Sequence, residues 1–183
     1  MKKLSILVLT SVICLPIAGY AAEGPGSVYS NVGATLISND SHNEAAYYFE
    51  VGYNHKLDQL FSADVNYKRV ATLDSSVDAG SDDFVQTYDT YGLGLRADQR
   101  FGNLSVFAKA GASFISSEIT TWDAGTGAEQ VDNDDSFKPY AGAGINLASP
   151  YDKRLTFGAG IDYQMLSNGE HATSFNGGVN YAF

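Results

Sequence analysis

Past its amino-terminal segment the chain alternates. Tyr47, Phe49, Val51 and Tyr53 are interleaved with Tyr48, Glu50, Gly52 and Asn54, and Leu155, Phe157, Ala159, Ile161, Tyr163 and Met165 with Thr156, Gly158, Gly160, Asp162 and Gln164. A period of two is that of a β-strand, whose side chains go alternately to opposite faces. Eight such runs are predicted: Val28–Ser38 (the weakest), Ala45–His55, Leu60–Ala71, Phe84–Ala97, Leu104–Trp122, Phe137–Ala148, Arg154–Leu166 and Phe175–Phe183. No stretch between them carries a helical period. Phe107 interrupts the polar face of the fifth run, as a ring packed inside a barrel would.

Each run approaches or exceeds the roughly 9–11 residues that a tilted strand needs to cross a hydrocarbon layer. Only a closed barrel satisfies every backbone group there, and single-chain bacterial barrels have even strand numbers. The expected fold is therefore all-β, an eight-stranded antiparallel up-and-down transmembrane barrel. Its connections differ in character. Leu57–Gln59, Gln99–Asn103 and Ser149–Lys153 are short, whereas the polar connections Asn39–Glu44, Leu73–Asp83, Asp123–Asp135 and Ser167–Glu170 include two long ones. Short turns at one rim and longer loops at the other predict that both termini are periplasmic and that the longer loops face outward.

The amino-terminal segment supplies an export route. Lys2 and Lys3 precede an apolar stretch, Leu4 to Ile17, and Gly19-Tyr20-Ala21 offers small residues before a cleavage point after Ala21. The predicted organisation is a signal peptide over 1–21 and one barrel domain over 22–183. Cys14, the only cysteine, falls in the removed part and follows Ile13, where lipoprotein processing wants a small residue; disulfide and thiol chemistry drop out. The 183-residue chain carries a net charge of −10, and residues 22–183 alone carry −12, which argues against nucleic acid as a partner.

The run Lys138-Pro139-Tyr140-Ala141-Gly142-Ala143-Gly144, followed by Phe157-Gly158-Ala159-Gly160-Ile161-Asp162-Tyr163 and a last strand ending in Tyr181 and Phe183, resembles the small outer-membrane barrels. That family includes the membrane domain of outer-membrane protein A, outer-membrane protein X and the accessory colonisation factors of enteric pathogens. The resemblance implies the outer membrane of a Gram-negative bacterium, contact with its lipid and lipopolysaccharide, and an assembly machinery that reads the strand ending in Phe183. The longer relatives' peptidoglycan-binding domain has no counterpart here, and that role is not implied.

The inward faces gather Glu50, Asp64 and Asp162 with Lys68, Arg96, Lys109 and Lys138. Unpaired, such charges are costly inside a narrow barrel; together they can neutralise one another. Eight strands leave room only for side chains, so a structural plug is expected, with a narrow ion-conducting channel as the alternative. The predicted outer loops carry only acids, among them Asp74, Asp78, Asp82, Asp83, Asp132, Asp134, Asp135 and Glu170, while Lys56, Arg100, Lys153 and Arg154 sit at the short-turn rim. An acidic cap suits divalent cations or a basic host or partner surface. Asp132-Asn133-Asp134-Asp135 lacks the glycine and distant glutamate of a helix-loop-helix calcium site. Aromatic girdles are predicted from Tyr53, Phe61, Phe101 and Phe157 at one level and Tyr47, Tyr67, Trp122 and Phe137 at the other, with Arg69 placed to meet a lipid phosphate.

A second alternative is a hydrolase or acyltransferase acting on lipid A. The histidines are His42, His55 and His171, and the tempting group is Glu170-His171 with Thr173 and Ser174. Positions 171 and 173 share a face but 171 and 174 do not, so a His-Ser pair is missing and His171 is expected in a loop at the outer rim. The reading is a non-enzymatic surface barrel with a structural or attachment role and no catalytic, cofactor or metal site.

Overall fold

A computed structural model describes residues 26–38, 43–72, 85–123 and 128–183. The strands are β1 (Gly26–Ser38), β2 (Asn43–Lys56), β3 (Phe61–Thr72), β4 (Val85–Phe101), β5 (Leu104–Asp123), β6 (Ala128–Ala148), β7 (Leu155–Met165) and β8 (His171–Ala182), with one 3₁₀ turn at Ser167–Gly169. Each strand pairs antiparallel with its neighbour in sequence, and β1 pairs with β8 to close the barrel. The predicted signal peptide and His42 lie outside the described residues. Among the described residues no helix is long and apolar enough to cross a membrane; crossing falls to the strands.

The alternation sorts as expected. Val32, Leu93, Leu95, Ile145, Phe157 and Phe175 project outward and exposed, whereas Glu50, Asp64, Asn66, Lys68, Lys109 and Asp162 are buried within. A barrel oily outside and polar inside is the reverse of a water-soluble one, and is stable where its outer face meets hydrocarbon.

Three boundaries differ from the sequence reading. β4 runs on to Phe101, leaving a two-residue turn in which Gly102 takes φ 65°, a left-handed backbone that favours glycine. The expected loop Asp123–Asp135 is mostly strand: β5 and β6 stay paired from Leu104↔Leu147 to Asp123↔Ala128. Asp132–Asp135 thus lie on extended backbone rather than on a loop able to curl round an ion. His171 likewise belongs to a strand, opening β8 opposite Met165 with its ring 5.6 Å from that of Tyr163.

The girdles are visible as ring pairs. Tyr53 stacks on Phe183 at 6.3 Å on the short-turn side, while Tyr67–Tyr91 at 5.3 Å and Phe114–Phe137 at 5.2 Å lie toward the opposite rim. The Trp122 side chain is outside the described set. Arg69 does not stand alone: its guanidinium is 3.7 Å from Asp89, to which the Tyr67 hydroxyl also donates at 2.7 Å.

The outward face predicts a depth-dependent penalty. Leu93 is mid-strand and 65% exposed, so Leu93→Arg should destabilise the barrel in lipid vesicles by about 2–4 kcal/mol, read by denaturant unfolding. No loss of stability would mean that this face does not meet hydrocarbon.

The β2–β3 turn predicts a pH effect. Asp58 accepts from the Leu60 and Phe61 amides, both at 2.7 Å, and these bonds hold its carboxyl below the ordinary aspartate range. A depressed pKa stabilises the turn above the unfolded value of about 3.9, and the effect is lost as pH falls through the folded value. The Leu60 and Phe61 amide shifts should therefore titrate with a midpoint under about 3.9 in NMR spectra. A midpoint at or above that value would contradict the account.

Candidate functional site

The lumen is built in layers, because each strand delivers an inward residue every second position. At its centre the Lys109 ammonium lies 2.9 Å from Glu50 and 3.2 Å from Asp162, with all three side chains at least nine-tenths buried. Asn31 donates to Glu50 at 3.0 Å and Asn176 to Asp162 at 2.7 Å, which uses further lone pairs. Such saturation lets ions remain buried at tolerable cost.

Asp64, fully buried, is held by neutral donors rather than by a base. The Tyr29 hydroxyl donates to it at 2.9 Å, Tyr140 at 3.0 Å and the Asn66 amide at 2.8 Å. The two tyrosines flank Lys109, whose nitrogen is 5.8 Å and 5.9 Å from their ring centres. Glycines make this packing feasible: a Cβ on Gly52 would run into the Tyr29 ring, and one on Gly94 would come 2.6 Å from the Tyr140 hydroxyl.

The other expected charges join less directly. Lys68 donates to Ser174 at 2.9 Å and sits 4.2 Å over the Tyr48 ring. Arg96 turns away to a partner the sequence reading left out, binding Asp98 through Nε at 2.8 Å and Nη2 at 2.9 Å, and it stacks on Phe107 at 3.9 Å. Lys138 stays apart; no ion pair or side-chain bond ties its ammonium to the rest among the described residues. Among the seven predicted charges direct ion contact is thus confined to Glu50, Lys109 and Asp162, and Asp98, paired with Arg96, brings the acids named to four against four bases.

Above this layer, toward the loop rim, Ile37, Ala46, Tyr48, Val70, Tyr88, Ile115, Leu166 and Ala172 form a buried apolar cluster across the barrel. Toward the short-turn rim the lumen opens instead into a cavity of about 380 Å³. The lumen is therefore open at one mouth and stoppered by a packed, mainly apolar layer at the other. Period-two reading puts Tyr48 on the Glu50 face of its strand, but it did not single out Tyr88, and nothing in it showed that the two converge.

The candidate catalytic group does not assemble. Ser174 is wholly buried in the lumen, its hydroxyl donating to Thr35 at 2.9 Å, while His171 points outward against Tyr163. His55 bonds the Tyr53 hydroxyl at 3.1 Å on the outer face. No cluster of three or more His, Cys, Asp or Glu side chains with metal-holding geometry occurs among the described residues.

Solved structures share this architecture. Neisserial surface protein A superposes with a TM-score of 0.70 at 12% identity, over 87% of this chain and 98% of that one. The fold is that of the small eight-stranded outer-membrane barrels. Ail, the attachment invasion locus protein of Yersinia pestis, gives 0.61 at 14% identity over 88% of this chain and all of its own. The outer-membrane protein OprG from Pseudomonas aeruginosa gives 0.59 at 10% identity, over 88% and 97%. No protein-family model and no curated relative matches the chain. At these identities an outer-membrane barrel backbone is shared, while lumen and loops have to be read from this chain's own residues.

The central triad predicts an asymmetric mutational response. Lys109→Met strands two buried carboxylates and should lower stability in lipid by about 3–5 kcal/mol. Combining it with Glu50→Gln and Asp162→Asn should return much of that loss, since the charges needing a partner are gone. Denaturant unfolding of the single and triple variants checks this; a triple variant no more stable than the single one would contradict it.

Proposed function

We propose that this protein is an integral, non-enzymatic outer-membrane barrel of a Gram-negative bacterium. In this reading the short turns and both termini face the periplasm, and the acidic loop rim faces outward as a structural or attachment surface. The observation that carries it is the filled lumen. A buried Glu50–Lys109–Asp162 contact lies beneath an apolar layer containing Tyr48, Tyr88, Ile115 and Leu166, which leaves the body of the barrel as a rigid support. Function then resides at the rims and on the outer face. The same layer weighs against the narrow channel, because an ion crossing it would exchange its hydration shell for little more than the Tyr48 and Tyr88 hydroxyls.

The neighbours support the surface reading. One is named as a surface protein and one as an attachment invasion locus protein, and the latter is also known in complex with the heparin analogue sucrose octasulfate. A polyanion of that kind suits this chain's loops poorly. Their charges are acidic, so a partner there would be cationic: a basic protein surface, or the divalent cations that bridge lipopolysaccharide. Phe183, stacked on Tyr53 with its amide bonded to the Gly26 carbonyl at 3.1 Å, completes the seam in the position proposed for recognition by the assembly machinery.

Three measurements test the reading together. The protein should fractionate with the outer membrane and migrate faster on gels unheated than boiled, and it should give no steady current across planar bilayers. Recovery from the soluble periplasm would overturn the architecture, and a sustained single-channel current would overturn the plug.

A further inference from the structure

The cavity at the short-turn mouth runs against the charge of the whole molecule. The chain is acidic overall, yet five of the nine bases in residues 22–183 line this one space: Lys56, Arg96, Arg100, Lys153 and Arg154. The acids beside them are occupied. Asp98 is held by both arms of Arg96, and the Asp58 oxygen by two backbone amides. Arg154 has its own partner in Asp152 at 3.2 Å. Lys56, Arg100 and Lys153 have no ion pair or side-chain hydrogen bond among the described residues.

A second observation comes from the wall of the cavity. Asn54 is an inward residue of β2, only 4% exposed, and neither its amide nitrogen nor its oxygen has a hydrogen-bond partner. A buried amide left unbonded costs free energy, so such a group calls for something to bond. Its place beside unneutralised cations indicates a ligand that carries negative charge and accepts hydrogen bonds.

We propose that this vestibule binds a phosphate group, with Lys56, Arg100 and Lys153 supplying charge and the Asn54 amide a neutral donor. Phosphate fits better than a single carboxylate, because its oxygens can meet several of the donors that line one space. About 380 Å³ accommodates a small phosphorylated solute, or the headgroup of a lipid reached over the rim. The site does not depend on which side of the membrane this rim faces, so its failure would leave the proposed function standing.

The test uses the full chain refolded in maltoside micelles, with inorganic phosphate as probe and chloride at matched ionic strength as control. The Asn54 side-chain amide and the Arg100 Nε–H resonances should shift saturably with phosphate and not with chloride. A Lys56→Gln, Arg100→Gln, Lys153→Gln variant, shown to be folded by its heat-modifiable migration, should bind about tenfold more weakly or worse. Nanodiscs containing phosphatidylglycerol distinguish the source. Resonances already shifted there and insensitive to added phosphate would assign the group to a lipid; continued dependence on added phosphate would assign it to a solute. Shifts that fail to saturate, that chloride reproduces, or that survive in the triple variant would overturn the proposal.

Discussion

Everything in this molecule depends on the ladder between β1 and β8. Hydrocarbon offers no partner to a backbone N–H or C=O, so a sheet exposed to it must leave no edge. The closing register runs from Ser27↔Ala182 to Ser38↔His171, which joins the first described strand to the last along its whole length. Once closed, the barrel fixes an inside and an outside, and period-two side chains sort themselves to match. The apolar belt, the girdles and the charged lumen all follow from that closure.

Strand identity was legible because most strands present one oily and one polar face. It faded where that contrast faded. β1 reads weakly because Tyr29 and Ile37 bring apolar side chains to its inner face. The first half of β6 reads as loop because Asp132, Asp134 and Asp135 break any alternation in a part of the strand beyond the apolar belt. There strand pairing is set by the ladder with β5, and propensity is overridden.

The inward charges were legible as a set, but their pairing was not. Glu50 lies directly beside Lys68 in the β2–β3 register, yet its ion partner is Lys109, reaching over from β5. Lys109 in turn neighbours Arg96 in register, a like charge, and the two diverge to Asp162 and Asp98. Parity gives the face of a residue; contacts across the lumen depend on how the strands stagger round the barrel. The tyrosines that clasp Asp64 were invisible for the same reason. So was the vestibule, which collects bases from three separate turns and strand ends.

β5 and β6 comprise 20 and 21 residues, about twice what a strand needs to cross hydrocarbon. About half of that hairpin therefore extends past the apolar belt on the loop-rim side, paired out to Asp123↔Ala128. Its two legs are continuous with the strands that bear Lys109 and Tyr140. A pull on the tip is carried down parallel to the strands, so the whole file of cross-strand bonds shares the strain at once instead of yielding one rung after another.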